Sequence, residues 1–353
     1  MAHLSAATQG LTFEIPNTSV NGPLNLNETL LSGQTSEPEW PRDGGGFTDV
    51  DVLDGTPVKY TLGQAGNSDH FSLSVRATTG VTGTPGAVTP NLKNHLSQVL
   101  GLKDDLELFY RRFTKEDEVL SLTFKNLRGL RLMRGIDLFQ ALICSMLSQN
   151  NSVRLWNRSA RLMMKHYGRM VKFPDSSQEF LFPQAQALAR LNPRELRSRT
   201  SMGYRAKPVV EVSRMIVNDD LNLSELANEP YEDAMDILLE LPGVGPKVAD
   251  CFLLYGAGRL EAAPVDVWIH RIVSKLYFKG RKVSRLKTAE FLRERFREWA
   301  GYAQLYLFDY ARGSKLGSNV AANSPSCALT DNALMRGVNN IAVTGNPGFE
   351  RAV

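Results

Sequence analysis

Cysteine is scarce in this sequence. The three cysteines among its 353 residues, Cys144, Cys251 and Cys327, are far apart and odd in number. Neither a disulfide framework nor a tetrahedral four-cysteine metal site can be built from them, and an iron-sulfur cluster held by four cysteines is excluded. Long apolar runs are missing too: no stretch of about eighteen apolar residues occurs. Residues 1–30 lack the basic stretch, apolar core and cleavage site of a secretory signal. The expectation is an intracellular protein with no membrane partner, nuclear in a eukaryote and cytoplasmic or nucleoid-associated in a prokaryote. Excess charge is also small. A net charge of +4 does not by itself identify a polyanionic partner.

What is present is the composition of a globular protein, 42% hydrophobic and 22% charged, with material for about two or three domains. The charge is uneven. Residues 1–60 carry eight acids against two bases, whereas Arg271 to Arg297 carry ten bases against two acids. Such a basic run is either a solvated helix face or a nucleic-acid surface. The organisation changes near residue 90. Before it, short alternating segments, Thr12 to Ile15, Val50 to Leu53, Val58 to Leu62 and Phe71 to Val75, are separated by Gly, Pro, Asn and Asp, the pattern of an antiparallel sheet with hairpins. After it the spacing is helical almost without interruption, as in Leu138, Phe139, Leu142, Ile143, Met146 and Leu147 behind Asp137. The predicted fold is therefore α+β: a small N-terminal antiparallel β domain with a flanking helix over residues 1–90, then a mostly α-helical two-part bundle over 91–312. Residues 313–353, rich in Gly, Ser, Asn and Ala, read as a weakly ordered tail.

The stretch Tyr231 to Tyr277 is the most informative. An amphipathic segment ending at Glu240 is followed by Leu241-Pro242-Gly243-Val244-Gly245, a tight turn whose two glycines can take conformations closed to other residues. Pro246 then suits the first position of a new helix, where it has no amide hydrogen to lose. The spacing predicts two helices joined by a glycine hairpin, whose exposed amides can face a phosphate and grip a DNA backbone without reading sequence. Lys247 falls in the first turn of the second helix, where the positive end of the helix dipole disfavours an ammonium ion and leaves more of the amine that can attack carbon. Asp266, in Ala-Pro-Val-Asp-Val-Trp, is a helix N-cap, a fixed carboxylate beside a developing positive charge, or both.

The string LPGVGPKVADC followed by PVDVW resembles the helix-hairpin-helix DNA glycosylases, and the cysteine after Lys-Val-Ala-Asp narrows the resemblance to 8-oxoguanine DNA glycosylases. Further matches run from Leu31-Ser32-Gly33-Gln34 through Ser148-Gln149-Asn150-Asn151 with Arg154 and Gly203-Tyr204-Arg205-Ala206 to Ala303-Gln304 with Phe308, covering roughly residues 10–312. The resemblance implies a duplex-DNA partner holding a damaged base, and an enzyme that extrudes the nucleotide and plugs the gap. It implies Lys247 and Asp266 as catalytic residues. The base pocket would comprise Cys251 and Phe308 sandwiching the purine, Gln304 reading its Watson-Crick face and the Gly33 carbonyl accepting the N7 proton of an oxidised guanine. Gln149, Asn150 and Asn151 would fill the gap, Tyr204 would wedge the stack, and Arg154 with Arg205 would hold the orphan cytosine. Gly243, Gly245, Trp268 and His270 complete the implied DNA contacts. Each residue also has a plainer reading: Cys251 and Phe308 as core, Gln304 as a surface amide, Gly33 as a turn.

The implied reaction is attack of Lys247 on C1′, base departure, a Schiff base, and β-elimination that nicks the strand. It needs no cofactor and no catalytic metal, although a structural cation could sit at the hairpin, and a monomer suffices. The chain departs from the family pattern at Thr35-Ser36-Glu37-Pro38-Glu39-Trp40, at Trp268 in place of a frequent histidine, and at Gln149 in place of an asparagine. The alternatives are a glycosylase for alkylated purines or oxidised pyrimidines, and a noncatalytic hairpin-bearing DNA-binding protein or scaffold. Lys247 argues against the alkylated-base branch, which generally relies on water and the aspartate, and the missing four-cysteine cluster against most of the oxidised-pyrimidine branch. A pure binder has no use for the pair Lys247 and Asp266.

Overall fold

The computed structural model describes residues 10–80 and 85–313; the expected tail beyond Gly313, with Cys327, lies outside the described residues. The N-terminal part is a five-stranded antiparallel sheet of β1 (Leu11–Pro16), β2 (Arg42–Asp43), β3 (Gly46–Leu53), β4 (Thr56–Gly66) and β5 (Phe71–Thr79), ordered β1-β5-β4-β3-β2. Alternation explains it. Phe71, Leu73, Val75 and Ala77 fall on one face of β5 and are buried, while Ser74 and Arg76 between them are exposed. Asp54 and Gly55 both take positive φ, 48° and 77°, and close the β3-β4 hairpin in the way an Asp-Gly pair favours.

Fifteen helices are described: α1 (Leu26–Leu31), α2 (Pro85–Val99), α3 (Leu106–Glu116), α4 (Glu118–Leu127), α5 (Leu138–Leu147), α6 (Val153–Tyr167), α7 (Ala185–Ala189), α8 (Pro193–Thr200), α9 (Ala206–Val217), α10 (Leu223–Asn228), α11 (Tyr231–Glu240), α12 (Pro246–Cys251), α13 (Val267–Leu276), α14 (Arg285–Phe296) and α15 (Ala300–Gly313). The sheet's apolar face packs with Leu92, Leu96 and Val99 of α2 and with Met133, whereas α3 onward forms a second, larger core. The helical region is interrupted once, by a hairpin of β6 (Met170–Lys172) and β7 (Gln178–Phe180). Val171, Phe173 and Leu181 of this hairpin pack against Val50 of β3, and Lys59 of β4 reaches Asp175 at 3.1 Å and Glu179 at 3.8 Å. The hairpin is thus a tertiary prop under the sheet.

Residues 128–135 stitch the two cores together. Arg131 is fully buried, and its guanidinium donates to the carbonyls of Pro23, Gly101, Asp104 and Asn21. Gln34 bonds the same segment like a strand neighbour: its Nε2 donates to the Arg131 carbonyl at 2.8 Å and its Oε1 accepts the Met133 amide at 2.8 Å. On the other side, the Tyr306 hydroxyl of α15 donates to the Leu130 carbonyl at 2.9 Å and Tyr302 donates to Asp104 at 2.6 Å. One linker therefore sets both the turn bearing Gly33 and the helix bearing Gln304 and Phe308.

Candidate active site

The hairpin between α11 and α12 shows two glycines kept for different reasons. Gly243 has φ 74°, and a Cβ there would meet Pro208 Cβ at 2.7 Å, so both backbone conformation and packing on α9 require glycine. Gly245 corrects the sequence expectation: its φ of −118° is ordinary extended backbone, and a Cβ would meet nothing within 4 Å. Its missing side chain leaves open space at the start of α12. Pro246 opens that helix, as its lack of an amide hydrogen favours.

Lys247 is half-buried one residue further on, and its Nζ donates to Ser148 Oγ at 2.6 Å. Ser148, just past the end of α5, in turn donates to the Ser145 carbonyl at 2.7 Å. Asp266 caps α13, its Oδ1 accepting the Ile269 amide at 2.8 Å, and leaves its other oxygen uncommitted by that contact. Between them lies Asp250. It is buried, accepts from Tyr231 at 2.7 Å and from the Ala263 amide, and Arg293 donates to the same Tyr231 hydroxyl at 3.1 Å. Burial pushes the Asp250 carboxyl up to about 6 against these hydrogen bonds. The network joins the lysine-bearing helix to the segment that leads into Asp266.

Of the four residues proposed for the pocket, Gly33 and Phe308 both meet Arg312, and Cys251 meets Thr35, two residues beyond Gly33. Cys251, one turn after Lys247, is buried; burial raises its thiol, with Lys247 and the Thr35 hydroxyl beside it pulling the other way. A raised thiol is a neutral wall. Gln304 and Phe308 lie one turn apart on α15. Gln304 is 5% exposed, and its Oε1 has no hydrogen-bond partner among the described residues. Arg312, the next turn along, stacks 5.5 Å from the Phe308 ring and donates to the Ser32 carbonyl. Gly33, with φ 80°, fits between Val153 and Arg312, where a Cβ would come within 2.8 Å of Val153 Cγ2 and 3.0 Å of Arg312 Nη1. Thr35 and Arg312 were not singled out from the sequence. Arg312 carried a signal, its four-residue spacing from Phe308; Thr35, far from Cys251 in sequence, carried none.

The gap-filling residues form a network among themselves. Tyr204 is 55% exposed and donates to Gln149 Oε1 at 3.1 Å, while Gln149 Nε2 donates to the Gly243 carbonyl at 3.3 Å. Asn150 adopts φ 47°, and Asn151 donates to the Leu147 carbonyl at 3.1 Å. Arg205 departs from its expected role. It is buried, stacks 4.5 Å over Tyr204, and donates to the carbonyls of Gln149, Asn150 and Met202, so it braces the loop instead of projecting toward a base. Arg154 is exposed at the start of α6. Trp268 is half-buried, and His270 Nδ1 lies 3.1 Å from Thr288 Oγ1, its ring lowered first by burial and then by Arg285. Away from this site, Glu37, Asp49 and Asp51 place carboxylate oxygens within 4.8 Å of one another. Burial followed by mutual repulsion raises Glu37 and Asp49, while the contacts of Asp51 with His95 and Tyr60 outweigh its burial and lower it. No helix among the described residues is long and apolar enough to cross a membrane.

A glycine hairpin presenting a lysine, with an aspartate capping the helix downstream, defines a helix-hairpin-helix site, and residues 143–298 match the HhH-GPD superfamily base excision DNA repair protein. The chain is 35% identical over 314 residues to a probable N-glycosylase/DNA lyase of Methanothermobacter thermautotrophicus, covering 84% of this chain and 96% of that protein. It is 25% identical over 321 residues to the N-glycosylase/DNA lyase OGG1 of Arabidopsis thaliana, covering 87% and 81%. The fold matches a solved structure of MBOgg1 in complex with a low affinity DNA ligand, with TM-score 0.73, 27% identity and coverage of 86% and 96%. A Clostridium acetobutylicum 8-oxoguanine glycosylase/lyase bound to double-stranded DNA shares the fold at TM-score 0.70 and 23% identity, covering 86% and 98%. The chain belongs to the N-glycosylase/DNA lyase family of the HhH-GPD superfamily. The names of these relatives join N-glycosidic base removal to DNA strand cleavage.

Proposed function

We propose that this protein excises 8-oxoguanine, or a related oxidised purine, from duplex DNA through a Schiff base on Lys247. The observation that carries this reading is the pairing of two features: a lysine amine held at the hairpin by Ser148, and a buried glutamine, Gln304, whose side-chain carbonyl has no partner among the described residues. A buried acceptor left unmet costs about 1–3 kcal/mol, and the Watson-Crick face of an extruded purine offers donors to meet it. Phe308 and Cys251 supply the walls of the slot, and the Gly33 carbonyl is the group suited to the N7 proton that oxidation adds to guanine.

In this reading the Lys247 amine attacks C1′ as the glycosidic bond stretches, and the base leaves with the electron pair and a proton. Asp266 stabilises the developing positive charge on the sugar. The amine then loses a proton, the sugar ring opens at the C1′–O4′ bond with O4′ taking a proton, and the resulting iminium acidifies the C2′ proton, whose removal expels the 3′ phosphate. The chemistry needs no cofactor, one protomer contains every named group, and any cation at the hairpin would serve the phosphate backbone. The orphan cytosine falls to Arg154, which stands at the lesion end of its helix where base edge and adjoining phosphate are both in reach of one guanidinium, with Gln149, Asn150 and Tyr204 in the vacated stack.

Borohydride trapping tests the proposal. A duplex with one 8-oxoguanine opposite cytosine should give a covalent adduct that disappears in Lys247→Gln, with turnover reduced by about a thousandfold or more. Base release without an adduct would remove Lys247 as nucleophile, and no release from 8-oxoguanine alongside release from an alkylated base would move the substrate class.

A further inference from the structure

We infer that the exposed face of α6 is a further DNA-contact surface, a basic cleft that takes backbone phosphates of the duplex beside the lesion. The inference takes only the identity of the polyanion from the function proposed above. Arg154, Arg158, Arg161 and Lys165 recur on α6 at spacings that put them on one face, and all four are exposed. The helix contains no Asp or Glu. Each neighbouring pair in the stripe therefore repels, and Arg154 in the first turn also opposes the helix dipole.

Other surface helices do the opposite. Arg112 with Glu116 on α3, Arg199 with Glu195 on α8 and Lys207 with Glu211 on α9 all set a base four residues from an acid. On α6, Arg161 donates to the Glu39 carbonyl, but Arg154, Arg158 and Lys165 have no acidic partner among the described residues. A helix that accumulates like charge without internal compensation is organised for an external anion.

The place of the stripe says which anion. Its four basic residues line an open cleft of about 650 Å³ together with one acid, Glu39, and with Val153 and Arg312, the last two of which enclose Gly33; five bases against one acid leave the cleft basic. The cleft thus begins at the edge of the base pocket and runs away from it along α6. From Arg154 to Lys165 the helix rises about 16 Å, roughly the length of five base-pair steps of duplex. A line of exposed charges that long suits a polymer of phosphates better than a single small anion, and it positions the duplex without reading bases.

The test uses the full chain and an undamaged duplex, with affinity measured from about 50 to about 200 mM salt. Arg158→Gln combined with Lys165→Gln should make the plot of log affinity against log salt shallower by about 1.8, equivalent to roughly twelvefold less affinity lost across that range. Lys115→Gln combined with Lys125→Gln removes the same charge from exposed positions outside the cleft and should leave the slope as it is in the wild type. Arg158→Lys alone, which keeps the charge, should do the same. An unchanged slope in the cleft variant overturns the inference, and so does an equal change in the control pair, which would assign the effect to net charge. Because the substrate carries no lesion, a failure to form the borohydride adduct on 8-oxoguanine bears on the proposed function and leaves this result standing.

Discussion

The two sides of the active site treat their buried polar groups in opposite ways. On the gap-filling side Arg205 commits its guanidinium to three carbonyls, and Gln149 bonds Tyr204 and Gly243, so the loop is held ready before DNA arrives. On the pocket side Gln304 Oε1 is buried with no partner among the described residues, and the Thr35 hydroxyl is turned to the Cys251 thiol. Where the protein must present a shape, it satisfies its own groups; where it must read a base, it leaves an acceptor open at a cost in stability.

The largest expected effect breaks the satisfied side. Arg205→Ala strips the donors from three carbonyls at once and should destabilise the protein by about 2–4 kcal/mol in urea unfolding, a loss expected for a buried hydrogen-bond network. A change below about 1 kcal/mol would mean the loop is held by something else. Gln304→Leu should act with the opposite sign. Removing an unmet buried acceptor should raise stability by about 1 kcal/mol, while single-turnover release of 8-oxoguanine falls by about tenfold or more as the base loses its reader. A loss of stability in this variant would show that Gln304 is satisfied in solution and would end the contrast.

Much of this arrangement was legible in the sequence because its causes are local. Pro246 opens α12 for a backbone reason, Asp266 caps α13 as a short polar side chain before an apolar run does, and the alternation of Phe71, Leu73 and Val75 fixes the inner face of β5. The misses have non-local causes. The β6-β7 hairpin exists because Lys59 and Val50 of the sheet receive it, and three-residue strands have too little periodicity to announce themselves. Thr35 meets Cys251 across the whole fold. Arg131 is the buried knot of the linker, yet arginine is a residue whose burial no local pattern signals. Arg205 was recognised at the correct place and given an outward role, because spacing along the chain does not say which way a long side chain turns.

A smaller effect concerns a buried carboxyl beside the sheet, Glu37, which accepts from Trp40 Nε1 at 2.7 Å. Glu37 is raised by burial and by Asp49 and Asp51, so its folded form holds a proton more tightly than the unfolded chain does. Its contribution to stability is therefore present at acid pH and lost as pH rises above the ordinary carboxylate range. Glu37→Gln keeps the neutral shape without the titration. Its melting temperature should gain on that of the wild type between about pH 5 and about pH 8. A gain confined to the acid side would mean that Glu37 is charged and paired in the folded state.

The smallest expected change in stability is also the sharpest version of the contrast, because it sits within one hairpin. Gly243 is glycine for the protein's sake, held at positive φ against Pro208, whereas Gly245 has ordinary backbone angles and free space around its Cα. Gly245→Ala should accordingly shift unfolding by less than about 0.5 kcal/mol, the range of a tolerated surface substitution. If the open space admits a DNA phosphate to the α12 amides, the added methyl group stands in its way, and affinity for duplex should still fall by about tenfold, the equivalent of one lost charge-assisted contact. A variant that binds DNA as the wild type does would mean that the backbone passes elsewhere, and that the gap at Gly245 has no ligand to explain it.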